Sequence, residues 1–173
     1  MGTKRGQSID AELREAARAG DAVAVSRALA GGANPKKTGR LGMTVLMLAA
    51  KGERAEALGI LIPVSDVSAC DDLGWSALMT ACDRGAIQCA FALMAAGANP
   101  NGGYRGMTPL SLAVAAKPAR RSAGLVAALI PGGRIEPAFR GGPSIEDLIL
   151  DAGWGDDEGW LLRAARDERA RGD

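Results

Sequence analysis

At 173 residues, 47% of them apolar but only 3% aromatic, the chain is long enough for one domain or one short solenoid. Its core must rest on Ala, Leu, Val, Ile and Met, which favours closely packed helices over a sandwich or barrel. The net charge of +1 speaks against nucleic-acid binding, the absence of histidine removes the commonest general base and metal ligand, and three cysteines without a CxxC pair form neither a disulfide framework nor a zinc signature.

Residues 1–7 read as a disordered N-terminus, and the polar opening MGTKRGQSID contains no apolar signal segment. Gly6 breaks the myristoylation pattern that Gly2 would begin. No run approaches the roughly 18 apolar residues of a membrane span. The expectation is a cytoplasmic protein without a membrane partner, and the Ala-, Gly- and Arg-rich composition points to a bacterial source. Charge is uneven: residues 1–40 carry eight basic side chains against four acidic, residues 143–173 four against nine. That polarity either steers an encounter or reflects differently composed solvated faces.

Further along, three segments begin alike: LGMTVLMLAA from Leu41, LGWSALMTAC from Leu73 and RGMTPLSLAV from Arg105. Their glycines, Gly42, Gly74 and Gly106, recur every 32 residues. Gly32-Ala33-Asn34-Pro35 returns as Gly97-Ala98-Asn99-Pro100, and Gly20-Asp21, Gly52-Glu53 and Gly85-Ala86 each pair a glycine with a helix start. Within 72–103, Ser76 or its neighbour caps a helix carrying Ala77, Leu78, Ala81 and Cys82. Gly85 breaks the chain by accepting a left-handed conformation. A second helix follows with Ile87, Ala90, Phe91, Leu93 and Met94 as one apolar stripe, ending at Gly97 and the turn Asn99-Pro100-Asn101-Gly102-Gly103. Two helices this short must stack on copies of themselves to bury their apolar faces.

The period, the start Gly106-Met107-Thr108-Pro109-Leu110 and the Gly-Ala-Asn endings resemble the ankyrin repeat. Thr44-Val45 and Ser76-Ala77 depart from the start motif, and Met47, Met79 and Ser111 stand where the family has a structural, hydrogen-bonding histidine. The resemblance implies an all-α solenoid of stacked helix-turn-helix units with short β-hairpin or loop tips, about five repeats including two degenerate caps. Residues 8–39 form the N-terminal capping repeat, lacking its hairpin; 40–71, 72–103 and 104–142 follow, the last ending in the connector 137–142. Repeat 40–71 reads as one residue short before Gly52 and closes at Ile62-Pro63. Repeat 104–142 gains Lys117-Pro118-Ala119-Arg120-Arg121 between its helices and closes at Ile130-Pro131, where proline cannot continue the ladder. Residues 143–173 read as a degenerate C-terminal cap, with Asp147 placed for a capping box and a second helix from Asp156 to Arg171, acidic at its start and basic at its end.

Catalytic chemistry finds no support. Cys82 and Cys89 fall on apolar helix faces, and all three cysteines, Cys70 included, read as buried packing residues. The carboxylates Asp71-Asp72 and Asp156-Asp157-Glu158 are ordinary at turns and helix starts. Gly102-Gly103-Tyr104-Arg105-Gly106 resembles a phosphate loop but sits at a hairpin tip. The reading is therefore non-catalytic, with no cofactor and no metal. In the family, partners dock on the tips and on the inner face of the first helices. By position this implies Arg40, Leu41 and Met43; Asp72, Leu73 and Trp75; Tyr104, Arg105 and Met107; and Asp83 and Arg84 on the first helix of 72–103. These are also interface-enriched residue types. The alternative is that Leu41, Leu73 and Trp75 pack between tips and stiffen the array. Lys117, Arg120 and Arg121 either grip an acidic partner or form a solvated loop; Trp154 and Trp160 staple a terminal core or, less in keeping with aromatic burial, line a ligand box. The implied function is a monomeric module that binds another protein, as adaptor, enzyme-neutralising inhibitor or immunity-like protein. A nucleic-acid-associated protein using the basic N-terminal half, or a host-directed effector, is the alternative.

Overall fold

A computed structural model describes residues 8–117, 119, 122–130 and 144–172. The segments 1–7 and 137–142, together with Pro118, Arg120, Arg121 and Pro131, lie outside the described residues. Ten α-helices are seen among those described: α1 Ile9–Ala19, α2 Ala22–Ala30, α3 Val45–Lys51, α4 Ala55–Leu61, α5 Ala77–Arg84, α6 Ile87–Ala95, α7 Pro109–Ala115, α8 Ala123–Leu129, α9 Ile145–Ala152 and α10 Glu158–Gly172. Consecutive helices pair, and the pairs stack. The inner row runs α1–α3–α5–α7–α9 and the outer row α2–α4–α6–α8–α10.

Each inner helix starts at a hydroxyl side chain that accepts a backbone N–H three residues on: Ser8, Thr44, Ser76, Thr108 and Ser144, at 3.1–3.3 Å. Two of the residues standing in for the family histidine close the cap from the other side. The Thr44 N–H donates to Met47 Sδ at 3.5 Å and the Thr108 N–H to Ser111 Oγ at 2.8 Å. Ser144 and Asp147 form the expected capping box. Behind the caps run columns of small and apolar residues: Leu13, Leu46, Leu78 and Leu110 are fully buried, as are Ala17, Ala50, Cys82 and Val114 one turn further. Burying each leucine stabilises the stack by about 2 kcal/mol.

Two sequence expectations need correcting. The α6 stripe is Ala86, Cys89, Ala90 and Leu93, spaced 3, 1 and 3; Ile87 and Phe91 are 37% and 43% exposed. An outer helix has only one face against its partner row, and those two residues flank it on the solvent side. Nor is repeat 40–71 short before Gly52. The Arg54 N–H donates to Ala49 O as the Ala86 N–H does to Ala81 O, so Glu53 corresponds to Gly85. Glu53 holds φ 60, where Gly85 holds φ 67. Gly52 is required for another reason: a Cβ there would stand 2.8 Å from Arg18 O.

As expected, α4 ends short at Leu61, passing into a 3-10 turn, Ile62–Val64, that contains Pro63. At the far end α9 and α10 cover α7 and α8. Trp154, 9% exposed, donates its Nε1–H to Val114 O at 3.3 Å, and Ile145, Ile149, Leu161 and Ala165 complete that layer. Trp160 packs against it with its Nε1–H on Asp157. Both tryptophans thus serve the terminal core.

Because a non-glycine residue in the left-handed region costs about 1 kcal/mol, Glu53→Gly should raise unfolding stability by roughly that amount while Gly52→Ala lowers it, both measurable by urea denaturation. Deleting residues 143–173 should bare the apolar flank of α7 and α8, and size-exclusion chromatography should show aggregation.

Candidate functional site

The tips follow from short-range turn chemistry. At the first, the 3-10 turn Arg40–Gly42 has Leu41 at φ 60 and Gly42 at φ 73, closed by the Met43 N–H on Arg40 O at 3.3 Å. At the second, Asp71 Oδ1 accepts the N–H groups of both Leu73 and Trp75 at 2.9 Å, and Cys70 bridges to Ser76. At the third, Tyr104 and Met107 exchange both backbone bonds, at 3.1 and 2.9 Å, around Arg105 and Gly106 with φ 48 and 83. Two left-handed residues in sequence make this a two-residue type I′ turn. Among the described residues the tips form isolated bridges and turns, not strands.

Neighbouring tips are joined. The Asp72 N–H donates to Leu41 O across the repeat boundary at 3.1 Å. A Cβ on Gly42 would stand 2.7 Å from Asp72 N, and one on Gly74 3.3 Å from the Tyr104 ring. The Arg105 guanidinium lies 5.1 Å over that ring, a cation–π contact that holds it in place. Along this edge Leu41 and Leu73 are 59% and 51% exposed. Arg40, Asp72 and Arg105 are exposed as well, while Met43, Trp75, Tyr104 and Met107 are half-buried.

The nine tip residues therefore form one row. Asp83 and Arg84 do not join it: they sit at the far end of α5, about 10 Å along the helix from its start, paired with each other at 3.7 Å. Lys117 is exposed beyond α7.

A second feature escaped the sequence reading. Between α1 and α3, beneath the first tip, lies a groove whose charged lining is Arg14, Glu15, Arg18 and Arg40 and whose apolar lining includes Met43 and Leu48. The available signal was register. Leu13-Arg14 aligns with Leu46-Met47 and Leu78-Met79, which places Arg14 at a position held by buried methionine in the next two repeats.

Cys70 corrects the expectation of three buried thiols: it is exposed at the base of the second tip, whose irregular backbone leaves no helix face to cover it. Cys82 and Cys89 are buried as expected. Burial pushes the Cys82 thiol up to about 12, with the Asp83 charge adding to it, and the Cys89 thiol to about 11, with Glu53 adding to it. Among the described residues no group of three His, Cys, Asp or Glu side chains is placed to hold a metal ion, and no helix is long and apolar enough to cross a membrane.

Short helix pairs, hydroxyl caps and linked tips at one fixed period define a helical repeat solenoid. Residues 13–104 match the family Ankyrin repeats (3 copies), and the chain belongs to the ankyrin-repeat family. Ankyrin repeats are generally protein–protein interaction modules and typically non-catalytic. No curated protein matches the chain significantly.

Native protein treated with a thiol reagent at neutral pH should titrate one cysteine, Cys70, quickly and the other two only on unfolding. Because the folded state holds the Cys82 and Cys89 protons more tightly, their contribution to stability is whole below the unfolded thiol value. It should be lost as pH rises from about 9 through 11 and 12. Replacing both with Ala should flatten that alkaline decline in a series of urea melts.

Proposed function

We propose that the protein is a non-catalytic cytoplasmic binding module that holds a partner protein along its tip row. Trp75 and Tyr104 stand at its centre, with Arg40, Leu41, Met43, Asp72, Leu73, Arg105 and Met107 around them. The observation that carries this is the apolar edge itself: two exposed leucines beside half-buried aromatic and methionine side chains, on turns fixed by hydrogen bonds. Preordered turns spend little entropy on binding, and aromatic and Arg side chains are the usual anchors of an interface. Asp83 and Arg84 extend the surface along the inner row. On this reading the array comprises 8–39, 40–71, 72–103, 104–142 and the cap 143–173, and acts as a monomer. An adaptor or an enzyme-neutralising, immunity-like inhibitor in a bacterial cell fits such a free-standing binding edge.

Affinity capture from a native lysate identifies the partner, after which one mutant decides the role of the edge. Trp75→Ala should weaken binding by about 2 kcal/mol, roughly thirtyfold, with the melting temperature nearly unchanged. Should the melting temperature fall instead, with binding lost only through unfolding, Trp75 is a wedge between tips. Lys117→Ala, away from the row, should leave affinity unaltered.

A further inference from the structure

We propose that the groove between α1 and α3 takes an acidic peptide segment of the partner, seating one carboxylate on Arg14 and a second on Arg40. The inference rests on the reading above for the partner being a protein, and it adds the chemistry of the segment bound.

Leu13, Leu46, Leu78 and Leu110 are all fully buried, so the next residue occupies one structural position in four repeats: Arg14, Met47, Met79 and Ser111. Met47 and Met79 are 1% and 0% exposed there. In two of the repeats this side chain accepts the N–H of the capping residue. In the first repeat α1 already begins at Ile9, and the Ala11 N–H is taken up by Ser8. The local backbone therefore offers this position no donor to satisfy, and an arginine has no acceptor with which to do so.

Arg14 instead reaches across the gap to the first tip. Its Cδ passes where a side chain on Gly39 would be, 3.1 Å from the Cβ position. Arg14 is half-buried as a residue, but its Nη1 ends shielded from water with no hydrogen-bond partner among the described residues. A shielded N–H without a hydrogen bond is destabilising even with the Asp10 charge nearby, and a well-packed apolar residue would serve the fold better. What the donor lacks is an acceptor, and a carboxylate supplies it with charge assistance.

The rest of the groove selects the occupant. Arg18 is committed to Glu15 by a 3.1 Å bond from Nε, whereas Arg40, exposed beside Gly39, makes no ion pair among the described residues. Arg14, which feels the Asp10 charge one turn before it, and Arg40 thus flank a groove of about 350 Å³ without an ion pair among the described residues, while Glu15, the one carboxylate that lines it, is held by Arg18. Met43 and Leu48, half-buried and packed on the core, give it an apolar floor. Alternating carboxylate and apolar side chains match that lining; a polyphosphate backbone would leave the apolar floor unmatched. The same groove meets the tip row at Arg40 and Met43, so a segment lying in it continues the edge already described.

The test uses the full chain and a short fluorescein-labelled peptide of alternating Glu and Leu, with a Gln-for-Glu peptide beside it. The Glu peptide should bind, more weakly at high salt, and the Gln peptide should not. Arg14→Met and Arg40→Gln should each weaken binding by about tenfold or more. Arg27→Gln, on the outer helix α2, should not. Arg14→Met should also raise the melting temperature, since methionine suits the same position at 47 and 79. Binding of both peptides alike or of neither, or an Arg14→Met protein that melts lower, overturns the proposal. So does preferential binding of duplex DNA through Arg14, or salt-sensitive self-association that Arg14→Met abolishes, which would make a second copy the occupant. Trp75→Ala measured in parallel separates the two readings. Peptide binding that survives Trp75→Ala but not Arg14→Met keeps the groove if the tip row fails. Partner binding lost in Trp75→Ala but retained in Arg14→Met and Arg40→Gln keeps the row and ends the groove.

Discussion

Most helices here have fewer than twelve residues, and a helix of that length is marginal on its own. The constraint that orders the molecule is that each inner helix must lie against the next. The residues that let it do so are the leucines at 13, 46, 78 and 110 and the small side chains that follow them. Ala16, Ala49, Ala81 and Ala113 leave room for close approach, and the leucines fill what remains. With so few aromatics, the core draws its cohesion from many small contacts spread along the stack, not from one central cluster.

The tips depend on that stacking. Their backbones contain left-handed residues at Leu41 and Arg105, a conformation that costs energy, and the cross-tip bond from Asp72 to Leu41 exists only when two repeats are in register. The same register lets Tyr104 lie on Gly74 and Arg14 lie on Gly39. The terminal pair α9 and α10 answers a different need. It presents Trp154 and Ile149 inward, and ties α10 to α9 through an ion pair at 3.2 Å between Arg169 and the largely buried Glu146.

What was legible in the sequence was whatever depends on neighbours in the chain. Ser76, Gly85 and Ser144 act through contacts within a few residues, and their roles followed from identity and spacing. The tip row followed from the 32-residue phase. Ile87 and Phe91 did not, because periodicity locates an apolar stripe without saying which edge of it a second helix will cover. Glu53 misled because a glycine one place earlier looked like the helix terminator, whereas Gly52 is fixed by the approach of Arg18 O, a contact from another repeat. Cys70 lies outside any helix, so helical register had no bearing on it. Arg14 became visible only when burial aligned the first repeat with its neighbours.

The bond from Asp72 to Leu41 has a mechanical meaning. Along the tip edge, backbone hydrogen bonding and close glycine contacts tie one repeat to the next. Along the opposite edge the described outer helices meet through side chains, and Val23 there is turned largely to water. A stack joined by backbone bonding at its tips and by side-chain contacts between its outer helices flexes as a fan does: the outer ribs spread more readily than the pivot edge lengthens. Spacing between successive tips is thus the dimension that thermal bending disturbs least.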